Sequence, residues 1–345
     1  MKILYGICGE GLGHAIRSGV VRDHLVSRGH EVTFACSKGR ALNYLARYGP
    51  VAQVPGLYWP SDGKLGPAFF ARNGINLSAI ELSPLRLMAS LPRPDVVVSD
   101  FEPCVARYAG MLNLPLISIG NIEFLTHCSH DIDADDRATA ALAFPVVKNM
   151  VPGAAHYFVT SFADAPIRSA KTSLHMPIIR PELLNMTRHG IGEDSVVVYF
   201  NDKSPWPQIV RTLQMLPDVA FSCYGSPVKS ATTLGNVKLW PLGDGFMSDL
   251  VHSCAVVGGA GFTLAIECVY SGKPLLALPF DNHAEQIFNA VYLERLGFGQ
   301  RCRELTPECL RSFLERAPSY ARNLAGVSHD GNVGLLSAID RAIAA

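Results

Sequence analysis

No stretch of the chain reaches the roughly 20 consecutive apolar residues that a bilayer-spanning helix needs. A helical integral membrane protein is therefore excluded. The nine cysteines contain no Cys-x-x-Cys pair and no spacing suited to a metal. They are scattered through expected strands and helices, as reduced core cysteines are in a cytosolic protein. An excess of charge of one sign is also missing. Lys+Arg and Asp+Glu number 30 each, so no global field favours nucleic acid or an anionic membrane. The first residues offer no leader: Met1-Lys2-Ile3-Leu4-Tyr5 runs straight into a glycine turn and reads as a strand. A soluble, cytoplasmic protein is expected, with peripheral membrane contact left open. There is no short-period repeat and no low-complexity tract.

What the chain does have is apolar bulk. Hydrophobic residues make up 48% and charged residues only 17%, a balance that fits buried parallel sheets. Its 345 residues suffice for two domains with separate cores. Lys2 to Cys8 reads as a strand, Gly9-Glu10-Gly11-Leu12-Gly13-His14 as a turn, and Ala15 to Arg28 as a helix closed by Gly29. This is a βαβ start, but not a dinucleotide fingerprint. The spacing lacks the third glycine of G-x-G-x-x-G, and the second strand, His30 to Cys36, ends without an acidic residue for a ribose. Instead an imidazole stands at the helix N-terminus, where the dipole favours its neutral, basic form near pH 7. Pro94 to Asp100 is a buried strand ending in Ser99-Asp100. Ligands of open α/β sheets sit at the carboxyl ends of strands, so Asp100 shares a plane with His14 and is suited to orient it. The bland alternative makes Asp100 the N-cap of a helix opened by Phe101-Glu102-Pro103.

Between these elements the signals weaken. Pro50 to Leu91 reads as loop-rich, with Pro-Gly, Trp-Pro, Asp-Gly and Leu-Gly-Pro turns. Its Tyr58, Trp59, Phe69 and Phe70 are either stacking residues of an acceptor region or minor core. The acidic stretch His127 to Asp136 lacks the glycine and distal Glu of a calcium loop. It reads as a solvated start of the helix Arg137 to Met150.

A proline-punctuated stretch, Met176 to Glu182, reads as a stiff crossover. The plan of strand, polar turn and helix then begins again at Ser195 to Phe200, with Asn201-Asp202-Lys203-Ser204 as its first turn. Two such domains facing each other make a cleft, the usual place for a ligand. In the second series the stretch Cys254 to Ala290 carries the strongest pattern. The strand Ala255-Val256-Val257 runs into Gly258-Gly259-Ala260-Gly261, and Phe262-Thr263 opens an apolar helix that stops at Gly272. Leu275 to Pro279 is a further strand, and Asp281 to Gln286 a polar loop. A glycine turn at a helix N-terminus presents backbone N–H groups and partial positive charge to a diphosphate. Glu267, one turn further among apolar neighbours, needs a partner, and a vicinal diol such as a ribose supplies two donors. The bland reading is an ordinary βαβ unit with a solvent-facing glutamate.

These residues resemble a family. The unit strand-GGAG-FT-helix-Glu267, with Gly-Lys-Pro, then Pro-Phe-Asp and Glu-Gln-x-x-Asn-Ala, is similar to the donor site of GT-B nucleotide-sugar glycosyltransferases. Family 28 is the nearest flavour, with its peptidoglycan N-acetylglucosaminyltransferase and plant galactolipid synthases. The glycine turn ending in His14 resembles the N-terminal motif of the same proteins. Ser99-Asp100-Phe101-Glu102-Pro103 with Ile178-Ile179-Arg180-Pro181 looks like a bacterial and archaeal branch of glycosyltransferases. The implied fold is α/β, GT-B: two Rossmann-like, doubly wound domains facing across a cleft. Residues 1–175 would bind the acceptor, 176–330 the donor, and 331–345 would form a helix returning to the first domain.

The resemblance also implies roles. Gly259, Ala260, Gly261, Phe262 and Thr263 would hold the diphosphate, and Glu267 the ribose. Leu242, Asp244 and Phe246 would contact the base, largely through backbone. Asn201 and Ser204 would lie near the phosphates. Asp281, Glu285 and Gln286 would face the donor sugar. Gly11, Leu12 and Gly13 would line the region between acceptor and phosphate. The pair His14 and Asp100 resembles the base and orienting carboxylate of inverting family 1 transferases. The implied reaction is metal-independent, inverting transfer from a nucleotide sugar, UDP favoured, to an acceptor hydroxyl. A lipid-linked sugar, a polysaccharide or a small natural product would all serve as acceptor. A non-hydrolysing nucleotide-sugar epimerase and a non-catalytic GT-B accessory protein are the alternatives on the same fold.

Overall fold

The computed structural model describes all residues except 10, 38, 58–66, 187–194, 242–244 and 345, and only the backbone of 67–72 and 74–76. The chain divides into two compact units, Met1–Arg180 with Asp330–Ala345, and Pro181–His329. The division falls after Arg180 and after His329, whereas the sequence suggested 175 and 330.

Unit 1 begins with β1 (Lys2–Ile7), α1 (Gly13–Ser27), β2 (Glu31–Cys36), α2 (Arg40–Leu45) and β3 (Val51–Gln53). It continues with α3 (Pro67–Ser90), β4 (Val96–Asp100), α4 (Pro103–Leu112), β5 (Leu116–Gly120) and α5 (Phe124–His127). Then come α6 (Ala134–Met150), β6 (His156–Thr160) and β7 (Thr172–His175). The strands form one sheet in the order β3-β2-β1-β4-β5-β6-β7, and every pairing in it is parallel. Parallel strands covered on both faces must be apolar throughout. β1 and β4 obey this, with Ile3, Leu4, Tyr5 and Ile7 beside Val96, Val97 and Val98, all buried.

Unit 2 repeats the plan. It runs through α7 (Pro181–Leu184), β8 (Ser195–Tyr199), α8 (Trp206–Gln214), β9 (Ala220–Tyr224), β10 (Thr232–Leu234), β11 (Val237–Leu239) and α9 (Gly245–His252). Next are β12 (Ala255–Gly258), α10 (Phe262–Ser271), β13 (Leu275–Ala277), α11 (Ala284–Arg295), β14 (Gly299–Arg301) and α12 (Pro307–Ala325). The sheet order is β10-β11-β9-β8-β12-β13-β14. Only the β10–β11 pair among the described strands is antiparallel. The last helix, α13 (Val333–Ala344), returns to unit 1, where Leu335, Ala338, Ile339 and Ile343 join the core beneath β1 and α1.

Both sheets have a topological switch point, where two neighbouring strands send their connections to opposite sides. In unit 1 it lies between β1 and β4, in unit 2 between β8 and β12. Register places Ile7 beside Asp100 and Gly258 beside Tyr199. The turns that follow these strands carry the residues singled out above.

Three expectations need correction. Residues 67–90 are not loop but one helix, α3. The turn signals end at Pro67, and from there Ile80, Ser83, Pro84 and Leu87 are buried at helical spacing. The mid-helix Pro84 and the preceding turns hid that period. The polar loop before α11 ends at His283, so Glu285 and Gln286 stand in the first turn of a helix. The cysteines are not all reduced: Cys302 and Cys309 form a disulfide across the turn from β14 to α12. The other seven form no disulfide, and all but Cys254 are buried.

Within unit 1 a side chain of the returning segment fastens the stretch that leads out of the unit. Asn332, itself buried, accepts from the Ile179 N–H and donates to the Ile179 carbonyl, both at 2.8 Å. Its φ of 74° is one that asparagine tolerates better than alanine. Asn332→Ala should strand both backbone groups and lower stability by about 2–4 kcal/mol, read by urea unfolding. A loss below about 0.5 kcal/mol would mean that water replaces both bonds. No described helix is long and apolar enough to cross a membrane.

Candidate active site

One candidate group lies at the switch point of unit 1. The turn after β1 delivers His14 into the first turn of α1. Gly11 adopts φ +77° there, a conformation that favours glycine. β4 delivers Asp100, which has no solvent exposure. His14 Nδ1 lies 2.7 Å from Asp100 Oδ1. The backbone beyond Asp100 turns sharply, with Phe101 at φ 55°. Ser99 closes this turn, its Oγ donating to the Glu102 carbonyl and accepting from the Glu102 N–H. The helix that follows is capped by Glu102, whose two oxygens accept from the N–H groups of Cys104 and Val105. Asp100 is therefore not the cap and is left to face His14.

A third residue completes the group. Arg17, one turn beyond His14 and buried, forks onto Asp100: Nε donates to Oδ2 at 2.6 Å and Nη2 to Oδ1. Its Nη1 donates to Asn121 Oδ1, and Ser18 Oγ donates to Asp100 Oδ2. Burial works against the Asp100 charge, but Arg17 and then His14 hold the carboxyl down at about 2. Burial also pushes Glu123, which accepts from Ser118 Oγ, above the usual carboxylate range.

A second candidate group lies at the switch point of unit 2. Gly258, Gly259 and Gly261 serve different ends. A Cβ on Gly258 would stand 2.6 Å from the Tyr199 carbonyl oxygen, so β12 needs glycine to pack against β8. A Cβ on Gly259 or Gly261 would meet nothing within 4 Å. The backbone of the turn therefore borders open space at the start of α10. Asn289 on α11 fastens it by donating to the Ala260 carbonyl at 2.9 Å. Phe262 is buried in the helix packing, which leaves its backbone rather than its ring for a ligand. Thr263 is half-buried. Glu267 is buried with Leu264, Ile266 and Cys268. Burial, with Glu267 beside it, pushes the Cys268 thiol well up, a mark of how dry this face is.

After β8, Asn201 Oδ1 accepts from the Lys203 N–H and the Ser204 hydroxyl, which shapes a compact turn next to the glycine turn. Phe246 packs on Tyr199 and Tyr224, its ring 5.3 Å from each. Gln286 Oε1 accepts from the Phe280 N–H and so holds the start of the loop 280–283, in which Asp281 is exposed.

The family model described as Glycosyl transferase family 1 matches residues 1–318. The chain belongs to glycosyl transferase family 1. Relatives include an uncharacterised glycosyltransferase of Methanosarcina acetivorans, 25% identical, with 91% of this chain and 90% of that one covered. One from Methanosarcina mazei is 26% identical, with 91% of each covered. Among solved structures, the glycosyltransferase of kitacinnamycin superposes with a TM-score of 0.70 at 20% identity, covering 99% of this chain and 98% of that one. A UDP-glucosyltransferase from Polygonum tinctorium gives 0.68 at 17% identity, covering 100% and 98%. SsfS6 from a Streptomyces species, solved with thymidine diphosphate, gives 0.60 at 16%, covering 99% of each. The fold is GT-B, and the protein is a glycosyltransferase.

In this family 1 glycosyltransferase the structure brings His14 and Asp100 together in unit 1. In unit 2 the glycine turn, Asn201 and Ser204 follow the two strands that flank the switch point, Phe246 packs on Tyr199 at the end of one of them, and Glu267 lies on the helix that the glycine turn opens. Leu242 and Asp244 lie outside the described residues, as do Tyr58 and Trp59 and the side chains of Phe69 and Phe70. Arg17 and Asn121 escaped the sequence reading, and Glu102 and Asn289 stood in its motifs without a role. Arg17 had a signal, its i, i+3 spacing from His14 on one helix face. Glu102 had one too, since a carboxylate directly before Pro103 fits an N-cap. His127 and His130 are structural: His127 packs on Tyr157, and His130 donates to the Phe124 carbonyl at 2.7 Å. Among the described residues no group of three or more His, Cys, Asp or Glu is placed to hold a metal.

Burial pushes the Glu102 carboxyl from its ordinary 4.5 up to about 7. Below 4.5 folded and unfolded forms are both protonated; between 4.5 and about 7 only the folded form keeps the proton. Stability should fall as pH rises through that window, by about 3 kcal/mol in all. Glu102→Gln should abolish this slope. Urea unfolding of both proteins at pH 5 and pH 8 measures it, and parallel pH dependences would refute the assignment.

Proposed function

We propose that this protein moves a sugar from a nucleoside diphosphate sugar to an acceptor hydroxyl with inversion at the anomeric carbon, without a metal, and with His14 as general base. The observation that carries the reading is the His14–Asp100 contact, made by a carboxylate with no solvent exposure. With Nδ1–H donating to Asp100, the Nε2 lone pair is left to take the acceptor proton. The acceptor oxygen attacks the anomeric carbon as the bond to the diphosphate breaks. Base assistance of this kind contributes about 10²–10⁴-fold. Charge growing on the leaving diphosphate is met by the N–H groups of the turn before α10 and by that helix's dipole, which does the work a cation does elsewhere. Glu267 accepts from the ribose hydroxyls. Glu285, Gln286 and Asp281 face the sugar.

UDP is the favoured nucleotide. Two of the structural neighbours, a UDP-glucosyltransferase and a glycosyltransferase complexed with thymidine diphosphate, make UDP and TDP the first to compare. On the acceptor side, unit 1 holds a cavity of about 250 Å³ between α3, α4 and α6. Leu57, Leu77, Ile80, Pro145, Val146 and Met150 line it, which suits an acceptor with an apolar part.

His14→Ala should cut turnover by about 10²-fold or more while nucleotide affinity holds. Normal turnover per bound donor would remove His14 from the base role. A thermal-shift screen of nucleoside diphosphates and their sugars should single out the donor, because stabilisation grows as RT ln(1 + [L]/Kd). Glu267→Ala should weaken the selected nucleotide by about 1.5–3 kcal/mol, and an unchanged affinity would end the ribose assignment.

A further inference from the structure

The buried group at the switch point of unit 1 poses a question of charge balance. A carboxylate without solvent needs one positive charge close by, because the desolvation of an isolated ion is prohibitive. Two side chains able to carry a positive charge are in reach of Asp100. One is Arg17, which forks onto both of its oxygens. The other is His14, which would carry a charge only if protonated. A general base must be unprotonated before it acts. If His14 supplied the counter-charge, it would be spent as a base.

We infer that Arg17 is the positioning residue that keeps His14 in its base form: it supplies the positive charge Asp100 requires and fixes the carboxylate where it can hold the imidazole by Nδ1. The inference rests on His14 being the base. Three contacts of one guanidinium carry it. The Nε and Nη2 bonds set the plane of the carboxylate, and the Nη1 bond to Asn121 Oδ1 sets the plane of the guanidinium. Arg17 Nη2 also lies 2.7 Å from His14 Nδ1. A second proton would enter at Nε2, and the charge it gives the whole ring would lie beside this fixed cation; like charges so close disfavour the protonated form. The imidazolium formed during turnover is thereby primed to release its proton and restore the base.

The other ionisable groups around the pair leave this balance standing. On β1, Tyr5 is held in its neutral form by burial, with Asp100 adding to the effect. On α5's flank, burial pushes Glu123 up and Asp100 adds to it, while Arg17 works the other way. Glu102, beyond Asp100, is raised by burial and turned toward the N-terminus of α4. On β2, burial pushes the Cys36 thiol up to about 12, with Glu102 and Asp100 contributing. Arg17 itself stays charged: burial opposes its charge, but Asp100 more than restores it. Asp100, Arg17 and a neutral His14 imidazole together then close at zero net charge.

The test is nitrogen NMR of the imidazoles in full-length protein, with His14 assigned by its loss in His14→Gln. In the wild type, Nε2 of His14 should be unprotonated at pH 7.5. In Arg17→Met, the ring should titrate about one pH unit or more higher. Arg17→Gln, which keeps donors without the charge, should move the same way and stands in should the Met variant fail to fold. Arg17→Lys keeps the charge without the fork and should hold the titration near the wild-type pH. A merely structural arginine would move stability in all three and the titration in none. The inference is overturned if folded Arg17→Met or Arg17→Gln titrates with the wild type, or if wild-type His14 is an imidazolium at pH 7.5. The base reading is judged separately, by turnover of His14→Ala. If that variant keeps its turnover while the titrations behave as expected, the base role falls and the charge balance remains.

Discussion

A single carboxylate, Asp100, sits in dry surroundings between a guanidinium and an imidazole. Most of unit 1 around it is arranged by that fact. A charge so placed must be matched, and the match must come from a side chain rigid enough to be there always. Arg17 reaches it because α1 starts at Gly13, which sets His14 and Arg17 one turn apart on one helix face. The carboxylate points the right way because Phe101 takes a left-handed backbone conformation and Ser99 clasps the turn. Such a conformation costs about 1–3 kcal/mol for a bulky residue and persists only when its surroundings enforce it.

Unit 2 uses the same topology for a different electrostatic task. Its switch point offers no buried charge pair in the turn itself, only backbone N–H groups at the head of α10 and open space beside two glycines. The two groups differ in kind. One is an imidazole held by a buried carboxylate and its arginine. The other is a turn of backbone N–H groups at a helix N-terminus, a setting suited to an anion. Asn289 and Gln286, on one helix, fasten the turn and the loop 280–283, so α11 frames both.

The sequence made the sheets legible because buried parallel strands are continuous apolar runs, and the turns legible because glycine and histidine stood directly after them. It concealed α3, since Pro84 lies in the helix and four turn signals precede it. It concealed the helical start of α11, because His283-Ala284-Glu285-Gln286 carries loop-like polarity before the apolar period begins. Arg17 was hidden for another reason: a helical arginine in a soluble protein usually faces water, and only the fold shows that this one faces inward. The Cys302–Cys309 link was hidden by isolation, seven residues apart and outside any recurring cysteine pattern.

Asp100 and Glu102 show why composition alone could not assign the chemistry. They are neighbours but one, both carboxylates, both fully desolvated. One is held at about 2 and the other driven to about 7. Burial raises both, so burial cannot be what separates them. The separation comes from the partner: a guanidinium fork on one side, two backbone N–H groups on the other. A full charge opposite a full charge outweighs desolvation, and peptide dipoles do not. Hence the residue that serves the imidazole is the one with the arginine, and its neighbour is freed to cap a helix.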